Sequence, residues 1–447
     1  MTKMPWLFAF TLCFVFSSCS QNTDQDKKKI SAQQTDSTNR AEVLSNGTFK
    51  ALNLEAVIQS KIQFPQDSNW FYETAINSPK SAIYSKDGSK FYINSLEGYT
   101  TAVFDSKTLK KITEIRHEFD ASNARLFKDN ETTVFGYPFK QQKEDYNTFL
   151  GKPVESCLSH DGKYLWVTYY RRNWDPNAES PSAVAIIDTK TDQIVRVMPS
   201  GPLPKMIACS ADNQYIAVTH WGDNTVGLID ISSTDPFEFK YVSHIIIDHQ
   251  VKTNFSGNVD RDNNCSNCLR GTVFTEDNQH ILVAKMGGNG IALIDLPSRK
   301  YQGTITGSYQ NLRHIALNNG YIYLSSNKFG AVQRAKLSDV LAQKFNEQNI
   351  LEYKNWQTVL VGPGARTIDV SADGKYTYVC VNNACKVVVI DNEKMQVIFE
   401  TKAEAFPVGM ALSPDNKQLI VTSQGKDSTP NSGNAVMVFD LQFEAAN

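Results

Sequence analysis

The stretch KMIACSADNQYIAVTHWGDNTVGLID, residues 205–230, decides the fold. Lys205 to Cys209 alternates apolar and polar side chains, Ala211-Asp212-Asn213-Gln214 turns, Tyr215 to Thr219 alternates again, and Gly222-Asp223-Asn224 makes a second turn before Val226 to Ile229. Lys240 to Ile246 supplies a fourth run. The phrase, Ser/Thr-x-Asp-Gly/Asn closing later on an apolar pair and Asp, recurs along the chain. Copies lie at Ser85 to Gly88 with Asp105, Ser159 to Gly162 with Asp188, Thr275 to Asn278 with Asp295, Ser371 to Gly374 with Asp391, and Ser413 to Asn416 with Asp440. A degenerate copy occupies Leu317 to Gly320.

Units of this period bury their apolar faces only by stacking, and four-stranded units stacked radially make a propeller. Seven blades are predicted, at roughly 78–118, 153–198, 203–247, 269–305, 311–361, 365–402 and 407–442, so the class is all-β. The last blade lacks a fourth strand, whereas Leu54 to Phe64 has the fitting alternation; this early strand is expected to close the ring and remove the open edge. The propeller then covers 52–447, with 119–152 as an insertion between blades one and two.

The repeat resembles that of the YVTN-type seven-bladed propellers, a superfamily that includes the lactonase-like and nitrite-reductase haem propellers. The resemblance covers residues 52–443. It implies the fold and leaves the chemistry open, because that fold hosts lactonases, haem proteins, adhesins and plain binding modules.

Residues 1–18 read as a secretory signal, with Lys3 in a thin basic region, an apolar stretch from Trp6 to Phe16, and a processing site at Phe16-Ser17-Ser18-Cys19. The small residues before Cys19 resemble a lipobox, with Phe16 in place of the usual Leu; the resemblance implies an acylated Cys19 as the mature N-terminus. The polar stretch 20–48, within the 19–51 leader to the propeller, cannot build a core and reads as a flexible tether. Tether and lipobox look like those of Bacteroidetes-type lipoproteins, which implies a head anchored to the outer membrane, on its periplasmic side or at the cell surface. A formal net charge of −2 removes any argument for bulk nucleic-acid binding.

Aligning the seven repeats places Lys80, Val154, Lys205, Arg270, Arg313, Arg366 and Val408 in one column near the start of each first strand. Five of these seven are cationic, and on a ring they should converge where the channel opens. Loops on that face add Arg171, Arg172 and Trp174 from blade two, His220 and Trp221 from blade three, and Lys285, Lys328 and Lys426 beyond; His314 follows Arg313. Arginine forks suit carboxylate, sulfate or phosphate, and Trp offers a stacking surface. The competing reading is scaffold, each cation pairing with a neighbouring blade's acid or carbonyl. The repeated Asp105, Asp188, Asp230, Asp295, Asp391 and Asp440 read as Asx-type turns on the opposite face.

Of eight cysteines, six follow Cys19. Cys265 and Cys268 end an excursion at 248–268 and are expected to staple it; Leu269 stands where c-type haem attachment needs His. Cys380 and Cys385 flank a turn and are open to a hairpin disulfide or two buried thiols, and Cys157 and Cys209 read as free core thiols. No nucleophile elbow, zinc motif or phosphate-cradling loop is present. The leading expectation is a non-enzymatic binding module, without cofactor or metal, for an anionic small molecule, glycan or protein. The alternatives are a lactonase-like hydrolase or lyase with His314 or His220 as base, and a haem or redox propeller using His220, His249 or His314.

Overall fold

The computed structural model describes residues 61–63, 71–137, 147–252, 257–426 and 432–441. The signal segment, Cys19 and the tether lie outside the described residues. Seven sheets, each built on antiparallel blade strands, follow the repeats in order. Blade one is Pro79–Tyr84, Lys90–Ser95, Thr100–Asp105 and Lys111–Arg116. Blade three is Pro204–Cys209, Tyr215–His220, Thr225–Asp230 and Lys240–Ile246, matching the quoted stretch strand for strand.

The first strands pack against one another in sequence around the ring, and that of blade seven, Pro407–Leu412, meets that of blade one. Seven apolar clusters lie between consecutive blades. Tyr92 and Val103 pack with Leu165 and Val167, and the last cluster joins Ile420 and Val438 to Phe91 and Phe104 across the closure. Fully burying each such side chain contributes about 1.5–3 kcal/mol, so the core is a circle of equivalent seams. Lys61–Gln63 pairs antiparallel with Ala435–Met437, which makes the early strand the fourth of blade seven. Residues 54–60 of the expected closing strand lie outside the described residues.

The turn chemistry explains the recurring phrase. The Ser or Thr hydroxyl donates to the Asp carboxylate at 2.6 Å in blades one, three, four, six and seven. The next residue takes the left-handed conformation, with φ of 70° at Gly88 and 56° at Asn213, which is why Gly or Asn stands there. The closing Asp residues accept backbone N–H groups two or three residues on, as at Asp105, Asp188, Asp230, Asp295 and Asp391. Asp440 instead accepts from the Gln418 amide.

The stretch after blade one is built onto blade two. Glu118–Phe119 pairs with Leu150 and Phe149, and a 3₁₀ helix at Ala121–Leu126 is capped by Asp120. Phe119, Phe127 and Phe149 pack together with Tyr169. Blade five sends a short helix, Leu337–Leu341, and the strand Ile350–Glu352 back to lie parallel to blade four's Lys300–Thr306.

A second repeated irregularity matters more for function. In every blade the pairing of first and second strands slips at the column position: between Pro79 and Ser81, Pro153 and Ser156, Pro204 and Ile207, Leu269 and Thr272, Leu312 and His314, Ala365 and Ile368, and Pro407 and Gly409. Bulges of this kind bend a strand and re-aim the side chain they carry.

Candidate functional site

Each cation of the column sits in one of these bulges. Lys80, Lys205, Arg270 and Arg366 are 8%, 8%, 4% and 3% exposed, and Arg313 is half-buried. Their charges act on one another across the ring. Burial pushes the Lys80 ammonium well below the usual lysine range, and Arg366, Arg270 and Arg313 push it in the same direction while Glu155 opposes them. Lys205 is lowered by burial and then by the same three arginines. Burial followed by Arg366 and Arg270 lowers Arg313 well below its ordinary value.

Two carboxylates answer these five cations. Glu155 lies 3.7 Å from Arg270, and Asp262 lies 3.0 Å from Lys205. Burial raises both acids while the neighbouring cations oppose the rise, with Arg270 the strongest on each. Lys205 is further enclosed by aromatic faces, its ammonium 4.0 Å from the Tyr170 ring centre and 5.0 Å from that of Trp221.

Lys80, Arg313 and Arg366 stand differently. Among the described residues no carboxylate lies within ion-pair distance of any of them. The Nε atoms of Arg313 and Arg366 are buried without a hydrogen-bond partner. Arg313 reaches Met286 Sδ at 3.4 Å, and the Arg366 guanidinium lies over Phe406 at 5.5 Å, with the Lys426 ammonium over the same ring at 5.0 Å.

The loop residues divide. Arg172 is enclosed, its guanidinium over Phe149 at 4.6 Å and Trp174 at 5.6 Å and its Nη2 donating to the Ser182 carbonyl, so it braces blade two instead of facing a ligand. Trp174 packs against the same core. Arg171 donates to the Pro176 carbonyl. Trp221 is buried, with its indole N–H on the Arg261 carbonyl, in a cluster that holds Cys265 and Cys268. Lys285 is taken by Asp248 and Thr304, and Lys328 is exposed.

The two histidines proposed as a base differ in their surroundings. His220 is fully buried, between Ser200 at 3.1 Å and Thr225 at 2.9 Å. Burial, then Arg270, pulls His314 down to about 4. His249 is exposed, beside Ser266, so the three histidines are not gathered at one place. Among the described residues no group of three or more His, Cys, Asp or Glu is arranged to hold a metal ion.

A disulfide joins Cys265 and Cys268 and closes the excursion that carries Asp262 to Lys205. The hairpin bridge between Cys380 and Cys385 is not formed. Cys380 is a free, buried thiol directed at the Gly409 carbonyl of the next blade, while Cys385 sits at the turn with φ of 50°. Strand alternation sends the first side chain into the seam, and the turn conformation directs the second elsewhere. Cys157 and Cys209 are free.

Glu155, Asp262, Tyr170 and Phe406 were not among the residues expected from sequence. The signal for Glu155 was there: blade two breaks the cationic column with Val154, and the acid follows it inside the same bulge. Two clefts lie apart from the cluster. One of about 280 Å³ is bordered by Glu114 and Arg116, which pair with each other, and one of about 380 Å³ by Leu317, Tyr321, Leu337 and Leu341.

No family model matches the chain. It is 26% identical over 174 residues to Antigen Lp49 of Leptospira interrogans serogroup Icterohaemorrhagiae serovar copenhageni (strain Fiocruz L1-130), a match over 34% of this chain and 36% of the antigen. The chain thus spans about a third of the length of that curated relative. Among solved structures, Kuenenia stuttgartiensis hydrazine synthase is similar with a TM-score of 0.56 at 15% identity, over 85% of this chain and 100% of that one. The Myceliophteria thermophila Cps50 (Swd1) beta-propeller domain is similar with a TM-score of 0.55 at 12% identity, over 82% and 97%. A chain of the mitotic checkpoint complex gives 0.54 at 11% identity, over 88% and 98%. At such identities the likeness is one of fold, and the chain is a seven-bladed β-propeller.

Proposed function

We propose that this propeller is a binding module of the YVTN type, lipid-anchored outside the cytoplasm, whose channel mouth takes an anionic ligand. One observation carries the reading: Lys80, Arg313 and Arg366 are held in bulges of the inner strands, and among the described residues none has a carboxylate within ion-pair distance. A buried charge without a partner costs several kcal/mol, about what truncating one member of a buried ion pair costs, so a fold that keeps three has a use for them. Pairing with neighbouring acids accounts for Lys205 and Arg270 and leaves these three over.

The lipobox-like Phe16-Ser17-Ser18-Cys19 and the polar tether support the anchor, and the weak likeness to an antigen fits a binding role. For the hydrolytic alternative, His220 is enclosed, whereas burial and Arg270 hold His314 as a neutral imidazole of low basicity, which makes it a weak base. Two experiments test the parts separately. Cys19→Ala should move the protein from the membrane to the soluble extracytoplasmic fraction, and unchanged partition would refute the anchor. A panel of mono-, di- and polyanions, titrated at fixed ionic strength, should include ligands whose binding is lost in the double variant Arg313→Gln with Arg366→Gln; a panel with no such ligand would refute the mouth as a binding site.

A further inference from the structure

The five cations and two carboxylates are not spread evenly around the ring. Glu155, Asp262, Lys205 and Arg270 belong to blades two to four and the excursion between the last two. Blades five, six and one contribute Arg313, Arg366 and Lys80, and blade seven, between six and one, contributes Val408. The unpaired cations therefore form one contiguous arc. Lys80 and Arg366 are recessed, whereas Arg313 is the more open member, so the arc is more accessible at the Arg313 side.

Resting on the reading of the mouth as an anion site, we infer that the arc holds a compact tetrahedral dianion of the phosphate or sulfate class, free or as the terminal group of a monoester. In this mode three donors from three blades, coupled to one another electrostatically, share one bound group. A planar carboxylate presents two oxygens in one plane and a single charge, which leaves one donor unserved and most of the excess charge uncancelled. A tetrahedral oxyanion offers an oxygen to each donor and a fourth toward the open side, and two guanidinium forks with one ammonium are the usual means of holding it. Recess argues for a small group: a polyanion would need its cations exposed along the surface.

The site's electrostatics add a second handle. Lys80 faces Arg270, Arg313, Arg366 and Glu155, and Lys205 and Asp262 complete the set of titrating groups around the ring. Burial and the arginines depress the Lys80 ammonium, so a dianion that restores it should take up a proton as it binds. Affinity then falls as pH rises, even for a ligand that does not itself titrate.

Sulfate is the probe that isolates this behaviour. Calorimetric titration of the whole protein with sodium sulfate, at ionic strength matched with chloride, should give binding at least about tenfold tighter than acetate, since each factor of ten corresponds to about 1.4 kcal/mol. Sulfate affinity should decline as pH rises above neutrality, and Lys80→Met should flatten that decline. Phenyl phosphate binding as well as inorganic phosphate would assign the ligand to the terminal group of an ester, whereas exclusion of phenyl phosphate would assign it to the free ion; either supports the inference. Acetate binding as tightly as sulfate, or an acidic glycan or peptide binding through Arg313 and Arg366 while sulfate does not, overturns the dianion and leaves the mouth as an anion site. Absence of any anion binding sensitive to Arg366→Gln overturns both. The sulfate-to-acetate comparison on the unaltered protein needs no variant and stands even where a variant fails to fold.

Discussion

Blades two to four and blades five to one carry the same device and use it in opposite ways. In the first group the bulge delivers Lys205 and Arg270 to Asp262 and Glu155, and Tyr170 and Trp221 close over the lysine. In the second, a similar slip of register carries Arg313, Arg366 and Lys80, and among the described residues no carboxylate comes within ion-pair distance of them, although Glu155 acts on all three from farther off. A repeated backbone feature thus fixes where a side chain points, and the partner decides whether the result is scaffold or site. On the proposed reading, the column divides along the ring into a paired arc and an arc open to an anion.

Removing charge from the two arcs should have opposite signs. Glu155→Gln takes away the carboxylate that faces Arg270, Lys80, Arg366 and Lys205, and should lower unfolding stability by about 3–5 kcal/mol, as breaking a buried pair does. Denaturant unfolding curves read this directly. A change much below 1 kcal/mol would mean that the acid does not hold the paired arc together. Arg366→Gln should act the other way: it relieves repulsion from Arg270 and toward Lys80, and should raise stability by about 1 kcal/mol in low salt, the gain shrinking as salt is added. A large loss of stability on Arg366→Gln would place this residue in the scaffold with Arg270 and erase the difference between the arcs.

How much of this was legible in the sequence follows from what repeats and what does not. Seven blades, the closing Asp turns, the early strand that completes blade seven and the five-cation column all recur at a fixed period, and periodicity survives without knowledge of tertiary contacts. Glu155 and Asp262 do not recur. One is displaced by a bulge that leaves no mark in a single strand's alternation, and the other comes from an excursion with no counterpart in other blades. Arg172 looked like a ligand because it follows Arg171 near a loop, yet it belongs to the end of Tyr164–Arg172 and stacks on Phe149, a partner supplied by the segment after blade one. His220 likewise closes a strand whose last residue turns into the blade. Local pattern gives the address of a side chain on its strand, and the neighbouring blade decides what it meets.

The proposal that cations of blades five, six and one hold an anion can be tested most directly by diffraction from crystals soaked in selenate, a tetrahedral dianion with a usable anomalous signal. An anomalous peak is expected within hydrogen-bond distance of Lys80, Arg313 and Arg366, and none beside Lys205 and Arg270, whose carboxylate partners are Asp262 and Glu155. A peak on the paired arc, or selenate bound elsewhere on the molecule while the three cations turn to protein acids, would contradict it.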